Sequence, residues 1–255
     1  MKIQIALILS IIIHGTFASV INDHLRTFIE QERQNFPCGW PDTGPNGIPP
    51  LEPFAPSRNW QMDIANAGDL IRDLKSDLSN VVVHGLQQFF LHEVRLEVIG
   101  LWMRIDFSVD ILNVNGMHDT TLFFNNAATA GRGRFQSVVR NFRMTGNFAM
   151  NTIQPGNFLN IRAIQTLISF GSINVQMEGL DSTINSILNS HLPALINDPA
   201  TQQRINDEVS EVMLPIMNSV FNTMTMPDLV QFMSNRATNP PPQRCFIRRG
   251  VKFNF

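Results

Sequence analysis

Tyrosine is absent from this 255-residue chain, and cysteine occurs only twice, at Cys38 and Cys245. Two isolated cysteines make no zinc centre, which needs about four nitrogen or sulfur ligands. Charged residues are scarce at 16%, and the formal net charge is −2. No basic excess is available to neutralise a phosphate backbone, so nucleic acid is excluded as a partner on charge grounds. Catalytic signatures are missing as well. The sequence contains no G-x-S-x-G, H-E-x-x-H, G-x-x-x-x-G-K-[ST] or G-x-G-x-x-G. His24, His84, His92, His118 and His191 are scattered, and no two share helical metal-ligand spacing. They read as structural or surface residues. The sequence thus points to no catalytic residue, no metal and no cofactor, and an enzyme is the weakest reading. No Asn-x-Ser/Thr sequon is present.

What is present begins with an export signal. Met1-Lys2 is positive, Ile3 to Ile13 is apolar but for Gln4 and Ser10, and Gly15 to Ser19 supplies small residues. This is the pattern of a secretory signal peptide cleaved after Ala18. The alternative is a buried N-terminal helix or an anchor, but the run falls short of the roughly 20 residues a bilayer requires. No later segment is long and apolar enough to span. Residues 1–18 are therefore assigned to a signal and residues 19–238 to one domain. Residues 239–255 form a Pro-rich basic tail. In an oxidising compartment Cys38 and Cys245 are candidates for a disulfide, with two free thiols as the alternative, since spacing does not fix the pairing.

Hydrophobic periodicity divides the domain in two. Residues 20–35 place Leu25, Phe28 and Ile29 on one helical face. Residues 37–58, dense in proline, read as an irregular strap. From Val81 to Met177 the period is two. Met103, Ile105, Phe107, Val109 and Ile111 alternate with Arg104, Asp106, Ser108 and Asp110, predicting a strand with one dry face. Phe142, Met144, Phe148 and Met150 continue the pattern. Turns are expected near Asn115-Gly116 and Pro155-Gly156. Ala127 to Gly133 reads as a loop, with Gly131-Arg132-Gly133-Arg134 as a hairpin tip. The result is an antiparallel meander. After it the period becomes helical. Ile184, Ile187 and Leu188 mark one helix. Asn197-Asp198-Pro199 starts a longer one carrying Ile205, Val209, Val212, Met213, Ile216, Met217, Val220 and Phe221, with Pro215 inside it. Asp228 to Met233 suggests a short final helix.

Two segments carry a family resemblance. Gly47-Ile48-Pro49-Pro50-Leu51-Glu52-Pro53-Phe54 resembles the "GIPPLDP" segment of insect haemolymph juvenile-hormone-binding and takeout-like proteins. Pro37-Cys38-Gly39 just upstream is similar to mite group 7 allergen-like proteins. Leu195-Ile196-Asn197-Asp198, Glu208 to Pro215 and Val220-Phe221-Asn222 resemble the late helix of the same group. The resemblance implies an α+β tubular lipid-binding (TULIP) fold, in which a curved antiparallel sheet wraps a long helix around an apolar tunnel. It also implies a secreted carrier of a hydrophobic small molecule or lipid. The paired N-terminal cysteines of juvenile-hormone binders are represented here by Cys38 alone.

With that resemblance, the 12 methionines and 19 phenylalanines suggest an adaptable apolar cavity wall. The expected wall is Met103, Ile105, Phe107, Phe148, Met150, Ile168, Phe170, Val212, Met213, Ile216, Met217 and Phe221. Two other readings compete with the carrier. One is an extracellular interaction protein of the same fold with a filled core. The other is a membrane-surface sensor, against which the near-neutral charge argues.

Overall fold

The computed structural model describes residues 20–39, 50–56, 58–67, 69–98 and 100–239. The proposed signal, most of the proline-rich strap and the basic tail with Cys245 lie outside the described residues. The spine is one long hairpin. Strands β4 (Trp102–Phe124) and β5 (Ala127–Ile153) pair antiparallel from Phe124 opposite Ala127 to Trp102 opposite Ala149. Asn125 and Asn126, with φ of 49° and 65°, turn the chain between them. Asparagine is among the few residues that tolerate this left-handed conformation.

Two shorter strands share each side of the hairpin. On β4, β2 (Ile71–His84) pairs with the half nearest the tip and β3 (Phe90–Glu97) with the other. On β5, β7 (Ser172–Met177) pairs with Phe135–Arg140, and β6 (Phe158–Ser169) with Arg143–Ile153. Strand β1 (Trp60–Ala67) extends β2. Among the described residues, four α-helices complete an α+β fold: α1 (20–32), α2 (Ser182–Ile196), α3 (Pro199–Phe221) and α4 (Met226–Thr238). No helix among the described residues is long and apolar enough to cross a membrane.

The two halves hold separate cores. In the half away from the hairpin tip, Ile21 and Leu25 of α1 pack with Leu96, Val109, Phe148, Ile161 and Met233. In the tip half, Ile71, Leu74, Val81, Leu122, Phe135 and Val175 pack with Ile184, Leu188 and Leu192 of α2. Between them both spine strands change face. Val109 is buried at 1%, Ile111 is 38% exposed, and Leu112 is buried again. On β5, Asn141 takes a φ of 51° at the same level.

That switch corrects one expectation: the dry face of β4 ends at Val109, and Ile111 points outward. Two more concern turns. Asn115-Gly116 lies inside β4, where a Cβ on Gly116 would meet Phe135 and the Ser79 carbonyl at 2.8 Å each. The glycine is there for close approach, not reversal. Likewise Ala127 to Gly133 is strand rather than loop. A Cβ at Gly131 would lie 2.5 Å from Leu180, so Gly131 admits the turn that follows β7. Strand β1 and the first half of β2 carry too little alternation to have been seen in the sequence.

Candidate functional site

The site is built by helices docked on strand edges. A strand edge presents unpaired N–H and C=O groups that must be covered or hydrated. Along β6, the amide of Asn218 on α3 accepts from Ile161 N–H at 2.7 Å and donates to Ile161 O at 2.9 Å. Asn206 accepts from Thr166 N–H at 2.7 Å, and Gln202 serves both backbone groups of Ile168, at 3.2 and 2.8 Å. The Ser210 hydroxyl donates to Ile164 O at 3.2 Å. The spacing 202, 206, 210 and 218 keeps one row of polar groups on one helical face. Helix α2 covers β7 in the same way. Asn189 bonds both groups of Val175 at 2.6 and 3.1 Å, and Asn185 those of Met177 at 3.0 and 3.3 Å. On β3, Asn22 and Arg26 of α1 bond Leu96 N–H and the carbonyls of Leu91 and His92. Sequence reasoning missed all of these residues. The available signal was the four-residue spacing of amide side chains beside an apolar stripe.

Helix α3 also reaches toward the other end of the sheet. Arg58, just before β1, pairs with Glu208 at 2.8 Å and Glu211 at 3.3 Å, and Arg204 donates to Asp63 O at 3.3 Å. Thus α3 lies against β6 while touching the strand at the opposite edge of the sheet.

The expected wall residues divide by burial. Met103, Phe148 and Met150 are buried members of the core away from the tip. Ile105, Phe107, Phe170, Met213, Met217 and Phe221 are half-buried and pack against that core. Ile168, Val212 and Ile216 are half-buried and join neither core. No residue of α3 is fully buried, although its stripe is apolar over almost five turns. Nine of the twelve therefore gather in one place, and most keep accessible apolar surface there.

Polar groups inside the molecule are mostly paired. In the tip half, Ser76 Oγ lies 2.7 Å from Thr120 Oγ1, which lies 2.9 Å from His118 Nδ1. His118 Nε2 lies 2.9 Å from Glu178 O. A carbonyl only accepts, so Nε2 carries a proton and donates to Glu178 O. Asp106, buried at 5%, receives both Arg143 Nε and Nη2, at 2.9 and 2.7 Å. The hydrogen bond from Arg143 holds the Asp106 carboxyl below its ordinary range; burial opposes this, and the charges of Arg143, His92 and Arg104 reinforce it. Glu52, from the Gly47–Phe54 segment, accepts from Gly85 N–H at 2.9 Å and Gln87 N–H at 3.1 Å, fixing the link from β2 to β3. These groups hold the scaffold together.

No cluster of three metal-binding side chains occurs among the described residues. Cys38 is not a free thiol, while Cys245 lies outside the described residues. Two concavities open on the surface. One, of ≈ 570 Å³ between β7 and α2, is lined by Arg134, Gln136, Asn174, Glu178 and Asn185, among others. A second, of ≈ 340 Å³, lies around Glu52, His84 and Gln87. Both linings mix polar and apolar groups, and neither includes an expected wall residue.

The fold can be set beside known proteins. Takeout 1 from Epiphyas postvittana is similar in structure, with a TM-score of 0.50 at 13% identity, over 83% of this chain and 88% of that one. A lipopolysaccharide binding protein matches at a TM-score of 0.37 and 10% identity, over 71% of this chain and 36% of that one. No curated protein sequence matches. The family model for haemolymph juvenile hormone binding protein (JHBP) matches residues 16–231. The chain belongs to the haemolymph juvenile hormone binding protein family.

Proposed function

We propose that this protein is a secreted carrier that holds an elongated apolar small molecule or lipid between the α3 stripe and the inner face of β4 to β6. The observation that carries the reading is the half-burial of the α3 stripe. Val212, Met213, Ile216, Met217 and Phe221 are all half-buried, on a helix whose position is set by hydrogen bonds to β6. Apolar surface left accessible on an inner face gains roughly 25 cal/mol per Å² when a ligand covers it. Family membership supports the same reading, since the family is named for a hormone carrier.

The proposal includes removal of residues 1–18 during export and a single domain over residues 19–238, followed by the basic tail. It also includes a Cys38–Cys245 bridge joining the N-terminal strap to that tail. Closing so long a loop is worth up to about 5 kcal/mol in the chain-entropy model. Cys38→Ser is accordingly expected to lower the melting temperature, and an unchanged value would remove the bridge.

The test is native mass spectrometry of the protein secreted from eukaryotic cells, followed by organic extraction. A stoichiometric lipid or terpenoid is the expected outcome. A second reading, an interaction protein with a filled interior, is favoured by one observation: the two surface concavities lie away from the expected wall residues. An empty protein that takes up no fluorescent fatty acid would establish that reading instead.

A further inference from the structure

The larger concavity, ≈ 570 Å³ beside α2, has no part in the carrier reading, because none of the expected wall residues lines it. Its floor is the outer face of β5 and β7. Gln136 and Gln176 stand directly opposite each other there, both exposed, and such cross-strand partners hold their Cβ atoms about 5 Å apart. Asn174 follows two residues along β7, on the same face. Helix α2 forms the side, with Ser182 and Ser186 one turn apart. Arg134 and Glu178 stand at the end where β7 turns toward α2.

The frame beneath these groups is fixed. Asn185 and Asn189 tie α2 to both backbone groups of Met177 and of Val175. The Glu178 carboxylate accepts from Arg134 N–H at 3.0 Å, and Glu178 N–H donates to Arg134 O at 2.9 Å. The side chains that face the concavity are not spent on one another. Gln136, Asn174, Gln176, Ser182, Ser186 and the Arg134 guanidinium make no side-chain hydrogen bond or ion pair among the described residues. The sheet away from the tip shows the opposite case. There Arg95–Glu97, Arg104–Glu93 and Arg143–Asp106 are all paired at 3.0 Å or less. The tip half therefore presents a rigid hollow on which free donors and acceptors converge.

Charge and chemistry select its occupant. Arg134 and Glu178 cancel, so the lining favours neither an anion nor a cation. A side-chain amide offers two donors and a carbonyl acceptor, and a serine hydroxyl does both. The matching ligand is neutral and carries adjacent groups that each donate and accept. The lining also mixes polar with apolar groups, as a sugar ring does with hydroxyls at its edge and C–H bonds on its faces. The volume lies within the roughly 300–1,000 Å³ of small-molecule sites.

We propose that this concavity binds a short neutral oligosaccharide. Gln136 and Gln176 each bond adjacent hydroxyls of the sugar from the sheet, and Ser182 and Ser186 complete the contacts from α2. The site is separate from the apolar interior and stands or falls without the carrier reading.

The test uses the full secreted chain and titration with maltotriose, cellotriose, chitotriose and mannotriose, read by saturation-transfer NMR. At least one of these sugars is expected to bind at millimolar concentration. The double substitution Gln136→Ala with Gln176→Ala should weaken that binding about ten- to thirtyfold, the order expected for two neutral hydrogen bonds. Ser186→Trp, which fills the hollow, should abolish it. All three positions are exposed, so both variants should keep the melting temperature of the unsubstituted protein and its uptake of the apolar probe N-phenyl-1-naphthylamine. Binding by none of these sugars overturns the proposal. So does sugar binding that survives both variants. Displacement of the apolar probe by the sugar would place the sugar in the interior and also overturns it.

Discussion

Helices α2 and α3 dock on their strands by the same device and end in opposite states. Each lays a row of amide side chains along a strand edge: Asn185 and Asn189 on β7, and Gln202, Asn206 and Asn218 on β6. Yet α2 buries Ile184 at 1%, Leu188 at 1% and Leu192 at 6%, while α3 buries nothing completely. The difference therefore lies in what each helix faces. The α2 stripe meets a closed layer formed by β2, β4, β5 and β7. The α3 stripe meets an inner face whose residues also keep accessible surface. Hydrogen bonds to a strand edge fix a helix at a set distance from the sheet, independently of side-chain packing. The α3 stripe is thus docked without being fully buried, which is the arrangement the proposed ligand wall requires and a core does not.

The contrast between core helix and wall helix can be broken by substitution. Leu188→Ala should destabilise the protein by about 3 kcal/mol, within the usual range for a buried leucine, as read by urea unfolding. Val212→Ala on α3 should cost less than about 1 kcal/mol, because few packed contacts are lost, while weakening uptake of apolar ligands. Equal losses at the two sites would mean that α3 is core like α2.

Edge docking should matter on both sides. Asn218→Ala and Asn189→Ala each leave a strand N–H and C=O without partners, and each should cost about 1–3 kcal/mol. If docking and packing are separable, as the comparison holds, only Asn218→Ala also changes ligand capacity in a displacement titration. Loss of capacity in both variants would tie the α2 half to the site.

The smallest effect is on pH dependence and belongs to the half that carries α3. Asp106 is held below its ordinary value of 3.8 by Arg143. Its contribution to stability is therefore complete above that value and is lost as pH falls through the lowered one. Asp106→Asn should flatten the acid limb of the melting-temperature profile, between about pH 5 and pH 2. The effect should shrink with added salt, because Arg143 is exposed. Hydrogen exchange at low pH should then loosen Met103 to Asp106 before Leu122. Simultaneous loosening would show that the two halves unfold as one.

Much of this was legible in the sequence. The period-two run from Met103 to Val109 and the helical stripe from Ile205 to Phe221 each declared their element, because a half-buried strand and an amphipathic helix impose different spacings on apolar residues. The Gly47–Phe54 segment and the late helix pointed to the family. Gly116 and Gly131 misled, since a glycine that admits a distant side chain looks the same in sequence as one that turns the chain. Ile111 misled because the face switch beside Asn141 is a conformational event with no side-chain period of its own. The edge amides were invisible because their partners are backbone groups 8 to 74 residues away.

The sequence by itself determined the period-two core of the sheet, the late helices and the set of apolar residues, since local periodicity acts over a few residues. Only the tertiary structure decided which apolar stripe was buried as core and which stayed half-buried. It also decided which polar side chains came together around the concavity beside α2. Those outcomes depend on what the curved sheet brings opposite each side chain, and burial is a property of the pair rather than of the residue.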